Sequence, residues 1–263
     1  MNAVREVQLN AFAKLLDVLD ELRLKCPWDR EQTNESLRTL TIEEVYELSE
    51  AIMEQDYTEM QKELGDLLLH VLFYAKIASE SNQFDIADVC NKLVHKLVYR
   101  HPHIFGEVEV ANSKEVEENW EKLKLIEKGG NKTVLSGVPE ILPSVVKAYR
   151  MQDKARGVGF DWDKKEQVWD KVHEEFSELM VEIDHMDQEK MELEFGDLFF
   201  SLINAARLYH INPDNALEKS NKKFKYRFNY LESKTISLGK SLKEMSLDEM
   251  NEIWDEAKKI EKK

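Results

Sequence analysis

The chain has 263 residues, enough for one or two domains with a substantial core, and a formal net charge of −15. Such an excess of acid argues against general electrostatic binding to nucleic acid, and no uncharged apolar run approaches the roughly 18 residues of a membrane span. Only 9 Gly and 5 Pro occur beside many Leu, Glu and Lys, a composition that favours a helical protein.

The two cysteines, Cys26 and Cys90, form neither a metal-binding pair nor a disulfide framework. The first residues, MNAVREVQLN, carry charge but are not followed by the apolar segment that a signal peptide needs. Together these features predict a protein of the reducing cytoplasm.

Helical spacing of apolar residues continues along nearly all of the chain, and no segment alternates convincingly like a strand. In the first half, the spacing predicts helices over about residues 5–24, 36–54, 57–80, 84–99 and 113–127. In the second half, it predicts helices over about residues 144–156, 165–185, 188–209, 213–232 and 246–262. Between the halves, EKGGNKTVLSGVPEILP (127–143) holds three of the 9 Gly and two of the 5 Pro, which predicts a linker.

The two halves repeat the same motif in the same order. EEVYELSEAI (43–52) precedes KELGDLLLHVLFYA (62–75), as EEFSELMVEI (174–183) precedes LEFGDLFFSLINAA (193–206). At a constant offset of 131 positions, four acids of each half correspond, namely Glu44, Glu47, Glu63 and Asp66 with Glu175, Glu178, Glu194 and Asp197. This internal duplication predicts an all-α fold of two tandem helical-bundle modules, residues 1–128 and 144–263, joined by the Gly- and Pro-containing linker 129–143.

The acids of the second half lie in an apolar context. KMELEFGDLFFSLIN (190–204) is apolar enough for a protein interior, yet it carries Glu194 and Asp197. A carboxylate among apolar side chains must be paired, protonated or bound to a cation, because burying it alone costs several kcal/mol. Gly196 costs about 1 kcal/mol relative to Ala within a helix, so we expect something to approach the backbone closely there.

The spacing of the acids favours a metal site. Two residues at i and i+3 project from the same side of a helix, so pairs on two antiparallel neighbours joined by a short turn can face each other. Four carboxylates without His or Cys form a hard oxygen site, which suits Mg²⁺ or Mn²⁺ better than Zn²⁺. Because Mg²⁺ commonly shares its coordination shell with substrate phosphates, the pattern points to nucleotide chemistry.

The pattern resembles the MazG-type nucleoside triphosphate pyrophosphohydrolases of the all-α NTP-pyrophosphatase superfamily. The resemblance rests on ExxE and ExxD pairs, a following basic motif and a late W-x-x-x-K, with CPWD near the start, RHPHIFG (100–106) and VGFDW (158–162). It implies Mg²⁺-dependent hydrolysis of NTPs and dNTPs to the monophosphate and pyrophosphate, and a homodimer. It also implies that the C-terminal half is the more competent catalyst.

The same resemblance implies roles for individual residues of the second half. The acids that would hold the metal and carry catalysis are Glu175, Glu178, Glu194 and Asp197. The residues that would contact the nucleotide and its phosphates are Lys190, Lys223, Arg227, Trp254 and Lys258. Phe160 and Trp162 either stack on the base or belong to the core.

The first half keeps its four acids, Glu44, Glu47, Glu63 and Asp66, as a possible second metal site. It differs within the acid stripe, where Glu59 stands in place of Lys190 and His70 in place of Ser201. Since an added acid repels a polyphosphate, we expect a weaker or mainly structural site in this half.

Two other classes of protein compete with this interpretation. A di-iron carboxylate bundle uses paired Glu-x-x-His motifs, of which only Glu182–His185 is present. A non-catalytic, duplicated helical interaction protein would need neither metal nor phosphate contacts, and its acids would pair with lysines.

Overall fold

The computed structural model describes residues 3–126 and 132–261. Within these ranges the backbone forms α-helices, three short 3-10 helices and no strand, which confirms the predicted all-α fold. The chain divides into two compact units, Met1–Glu109 and Val110–Lys263. None of the described helices is both long and apolar enough to cross a lipid bilayer.

The first unit packs around the hairpin of its two long helices. Leu37, Leu72 and Phe73 are at most 2% exposed and form a core with Leu19. Burying each of these side chains stabilises the fold by about 1.5–3 kcal/mol. The helices are α1 (Ala3–Lys25), α2 (Pro27–Glu31), α3 (Asn34–Glu54), α4 (Tyr57–Glu80), α5 (Ile86–Arg100) and α6 (Pro102–Phe105).

The second unit has two separate small cores. One joins Val168 and Val172 to Ala205, and the other is formed by Leu231, Met245 and Ile253. The α-helices are α7 (Ser113–Ile126), α8 (Ser144–Arg156), α9 (Val168–His185), α10 (Gln188–Leu208), α11 (Pro213–Ser237) and α12 (Leu247–Glu261). The 3-10 helices are Leu135–Gly137, Lys165–Gln167 and Leu242–Glu244.

The ten predicted helices all occur, with most ends within a few residues of the prediction. The prediction missed α2 and α6, which are only 5 and 4 residues long and each begin at a proline. Such short helices show no apolar period. Residues 127–131, with which the predicted linker begins, lie outside the described residues. The unit boundary falls before α7, whereas the sequence repeat assigned this helix to the first half.

A tight turn joins the acid-bearing helices in each unit. Gln55 ends α3 with a φ of 58°, and Met186 ends α9 with a φ of 54°. Left-handed backbone is uncommon for residues other than glycine, so the turn costs free energy that the packed hairpin offsets. The next residues, Asp56 and Asp187, cap α4 and α10 through their carboxylates. The duplication therefore extends to the turn geometry, which sets how the two acid pairs face each other.

Candidate active site

Three carboxylates of the second unit converge between α9 and α10. Glu175 comes from α9, and Glu194 and Asp197 come from α10; each offers an oxygen within 4.8 Å of the other two. Exposure increases from Glu175, which is 7% exposed, through Glu194 to Asp197. The group thus has a buried side and a side open to solvent. Glu178, the fourth predicted acid, is exposed and lies outside this group.

The negative charge of this group is only partly compensated. The ammonium of Lys171 lies 2.8 Å from Glu175 and 2.9 Å from Glu174. The pKa of Glu194 is raised, first by burial and then by the charges of Glu178, Asp197 and Glu175. A bound cation would relieve this repulsion, and an all-oxygen donor set fits the hard ions Mg²⁺ and Mn²⁺.

The first unit repeats the arrangement with different partners. Glu44, Glu63 and Asp66 offer oxygens within 4.8 Å of one another, and Glu47 is exposed outside the group. Glu63 is only 2% exposed; one of its oxygens lies 2.8 Å from the Lys62 ammonium, and the other has no hydrogen-bond partner in the described structure. The lysine that compensates the charge is therefore on α4 here, whereas in the second unit it is on α9.

Two residues distinguish the first group from the second. Glu59, which replaces Lys190, lies 3.5 Å from the Lys62 ammonium and brings a further negative charge. His70, which replaces Ser201, is 7% exposed, and burial lowers its pKa although Asp66 opposes the shift. The first group is consequently richer in acid and has beside it an imidazole whose pKa is lowered by burial.

Two of the predicted substrate residues, Arg227 of α11 and Trp254 of α12, contact each other between these helices. Phe224 contacts Trp254 with a ring separation of 5.3 Å, and the Arg227 guanidinium lies 5.9 Å from the centre of the same indole. Arg227 also pairs with Glu261, donating from Nε at 2.8 Å and from Nη2 at 2.7 Å. Of the other predicted residues, Lys223 is exposed and Lys258 pairs with Asp255 at 2.9 Å.

Lys190 is held by acids of the α9–α10 turn. Its ammonium lies 3.4 Å from Asp187 and 3.8 Å from Glu182. His185 lies 3.7 Å from the same Glu182 and is 65% exposed, which does not fit a ligand of a buried di-iron centre.

Comparison with known proteins agrees with this geometry. The MazG nucleotide pyrophosphohydrolase domain matches the sequence twice, over residues 32–105 and 164–231, and each match includes one group of acids. The chain belongs to the MazG family. The match therefore confirms the resemblance that the sequence motifs indicated.

Relatives cover the chain almost completely. The nucleoside triphosphate pyrophosphohydrolase of Escherichia coli K12 is 38% identical over 260 residues, covering 96% of this chain and 99% of the relative. The nucleoside triphosphate pyrophosphohydrolase/pyrophosphatase MazG of Thermotoga maritima is 41% identical over 250 residues, with 94% and 95% covered. YabN of Bacillus subtilis, described as uncharacterized, is 43% identical over 256 residues, which are 96% of this chain and 52% of YabN.

The VGFDW segment lies at the far end of α10 from the acids. Asp161 pairs with Arg207, which is 7% exposed, through an Nη1–Oδ2 contact of 3.1 Å and a second contact from Nη2. Burial alone would raise the pKa of Asp161, but its bonds to Arg207 and to the Trp162 amide hold it below the usual value. Arg207 follows Asp197 by ten positions, or about 15 Å of helix.

This pair was not foreseen from the sequence, because Asp161 and Arg207 are 46 positions apart and fall in no shared motif. Phe160, next to the pair, is 83% exposed, so the prediction that it belongs to the core is wrong. A stacking role for Phe160 and Trp162 stays a prediction.

The glycines between the acids, Gly65 and Gly196, border open space. A Cβ placed on Gly65 or Gly196 would meet no atom of the described structure within 4 Å. No described part of this chain makes the expected close approach, so an approach by a ligand or a second chain stays a prediction. The space beside Gly196 is open.

The differences around Glu59 and His70 predict unequal roles for the two acid groups. We expect Glu63→Gln to retain at least about a third of the wild-type kcat/KM for nucleoside triphosphates, while Glu194→Gln loses most of it. Steady-state kinetics of both variants, with thermal melting to verify folding, provides the comparison. Equal losses from the two substitutions would contradict the asymmetry.

Proposed function

We propose that the second unit hydrolyses nucleoside triphosphates, both NTPs and dNTPs, to the monophosphate and pyrophosphate in a Mg²⁺-dependent reaction. The observation that carries the proposal is the convergence of Glu175, Glu194 and Asp197 within 4.8 Å in a chain of the MazG family. The printed names of the Escherichia coli and Thermotoga maritima relatives support the same activity. The biological role we propose is housekeeping of the nucleotide pool.

The carboxylates Glu175, Glu194 and Asp197, joined by Glu178, are the residues that would hold the metal. A bound Mg²⁺, or Mn²⁺ in its place, supplies charge neutralisation at the phosphate oxygens. The charge of Glu178 contributes to the raised pKa of Glu194, which supports placing Glu178 beside the group. A bound cation relieves the repulsion among these acids, so the repulsion favours cation binding at this site.

Side chains of α11 and α12 would receive the phosphate tail. The Arg227 guanidinium can donate two hydrogen bonds to one phosphate, and Lys223 one turn earlier adds a point charge. Trp254 and Lys258 would border the nucleotide, and Lys190 would reach the phosphates after leaving Asp187 and Glu182. Water oriented by a carboxylate attacks the α-phosphorus; the new P–O bond forms there, and the bond from the α-phosphorus to the bridging oxygen breaks as pyrophosphate leaves.

Isotope-labelled water tests this reaction. With Mg²⁺ present, an NTP hydrolysed in ¹⁸O-water should yield one labelled oxygen in the nucleoside monophosphate and none in the pyrophosphate. Chelation with EDTA should abolish both products. Release of inorganic phosphate with a nucleoside diphosphate, or label in the pyrophosphate, would rule out attack at the α-phosphorus.

The proposal includes a homodimer in the cytoplasm. In the second unit, large apolar side chains on one face of α10 remain open to solvent within the single chain, with exposed fractions of 44% for Phe195, 59% for Phe199 and 41% for Leu202. Contiguous apolar surface of this kind favours a protein partner. The free thiols of Cys26 and Cys90 fit a reducing compartment. Light scattering should give twice the mass of one chain; the mass of a single chain would contradict the dimer.

A further inference from the structure

The ion pair between Arg227 and Glu261 occupies one edge of the arginine. Nε and Nη2 both donate to the same carboxylate oxygen, Oε2, so this edge is not available to another acceptor while the pair persists. The two side chains are 21% and 26% exposed. Partial removal from water strengthens the pair relative to one on the open surface.

Glu261 shares a face of α12 with two predicted substrate residues. Trp254, Lys258 and Glu261 stand at positions i, i+4 and i+7, which lie above one another on a helix. A carboxylate on a face that receives a polyphosphate repels the ligand, so its position there calls for a physical reason. Its partner across the helix pair is Arg227, the residue with the strongest geometry for a phosphate.

On the basis of the proposed function, we propose that Glu261 is an internal competitor of the phosphate tail, which holds the phosphate-binding edge of Arg227 until a polyphosphate displaces it. The carboxylate imitates one phosphate oxygen, and it is tethered, so its local concentration is independent of the ligand. Every ligand that needs this edge of Arg227 then binds more weakly by the same factor.

The consequence concerns the product as much as the substrate. Pyrophosphate is the part of the substrate that Arg227 would contact, and after hydrolysis Glu261 can retake the guanidinium as pyrophosphate leaves. A nucleoside monophosphate lacks the tail, so Glu261 leaves its affinity unchanged. Of the two products, only pyrophosphate is therefore bound more weakly because of Glu261. This limits product inhibition by pyrophosphate.

Calorimetric titration of inorganic pyrophosphate into the full-length protein at fixed Mg²⁺ tests the competition. Glu261→Gln and Glu261→Ala should each lower the Kd for pyrophosphate about threefold or more, as expected when a pair of this strength is removed. The Kd for a nucleoside monophosphate should stay the same. The same variants should show a correspondingly lower inhibition constant for pyrophosphate in steady-state assays.

Two reference variants make the test specific. Glu252→Gln removes an exposed acid from the opposite side of α12, nine positions from Glu261, and should leave the Kd unchanged. In an Arg227→Ala background, Glu261→Gln should have no further effect. An unchanged or higher Kd for pyrophosphate in both Glu261 variants would overturn the competition, the higher value indicating that Glu261 orients Arg227 for the ligand.

The Arg227→Ala variant separates this inference from the proposed function. If Arg227→Ala weakens pyrophosphate binding while the Glu261 variants do not strengthen it, the phosphate position stands and only the competition is refuted. If Arg227→Ala binds pyrophosphate like the wild type, Arg227 is not at the phosphates and both are refuted.

Discussion

Glu194→Gln is expected to reduce kcat for nucleoside triphosphates by at least about a hundredfold at saturating Mg²⁺, equivalent to about 2.7 kcal/mol of transition-state stabilisation. The substitution preserves size and removes one negative charge from the group formed with Glu175 and Asp197. Glu194 is the cleaner choice, because Glu175 is also paired with Lys171 and its loss would leave a lysine without that partner. Steady-state release of pyrophosphate measures the effect.

The same variant should remain folded. Because the folded-state pKa of Glu194 is raised, its charged form opposes folding, and the associated stability is lost as pH rises through that pKa. A neutral amide relieves this repulsion, so at neutral pH and without metal the Tm should hold or rise slightly. Glu192→Gln, an exposed acid on the same helix, is the matched control. Wild-type turnover by Glu194→Gln would refute the metal assignment.

Arg227→Ala is expected to lower kcat/KM by at least tenfold, which corresponds to about 1.4 kcal/mol. The guanidinium would pair with the triphosphate through charge-assisted hydrogen bonds, each worth about 1.5–3 kcal/mol. Arg227→Lys should restore only part of the rate, since an ammonium cannot reproduce the two-pronged contact.

The control for this prediction is Lys219→Ala, an exposed cation at the start of the same helix. It should change kcat/KM little, which separates a specific contact from general attraction between the basic helix and the substrate. If Arg227→Ala hydrolyses NTPs like the wild type and keeps its helical circular dichroism, the arginine is a surface cation and the placement of the phosphates on α11 is wrong.

Much of the fold could be predicted from the sequence because the helices are long and periodic. Each long helix shows several turns of apolar spacing, and the repeat tests each prediction twice, as at α3 and α9. The short helices α2 and α6 escaped because a single turn has no period. The sequence also could not predict which apolar helix faces are exposed in the single chain, as on α10 around Phe199. The same apolar spacing occurs on faces that pack in a core and on faces that form an interface between chains.

At the candidate site, the sequence identified residues better than partners. The i, i+3 spacing correctly placed Glu194 and Asp197 on one side of α10, and the short turn brought them to Glu175. The ion pair of Lys171 with Glu175 has the i, i+4 spacing of one helix, so the sequence contained its signal. The pair of Arg227 with Glu261 depends on the register between α11 and α12, which no local spacing specifies. A carboxylate seven positions after Trp254 was the available signal for Glu261, but this part of the chain is rich in acids.

Mn²⁺ binding measured by electron paramagnetic resonance tests the central claim most directly, because it reports on the carboxylate group without requiring turnover. Using Glu63→Gln as the parent isolates the second unit. In this background we expect added Glu194→Gln to abolish Mn²⁺ binding at concentrations that saturate the parent, and added Glu192→Gln to leave it unchanged. An identical Mn²⁺ isotherm with and without Glu194→Gln would show that the acids between α9 and α10 are not the metal site.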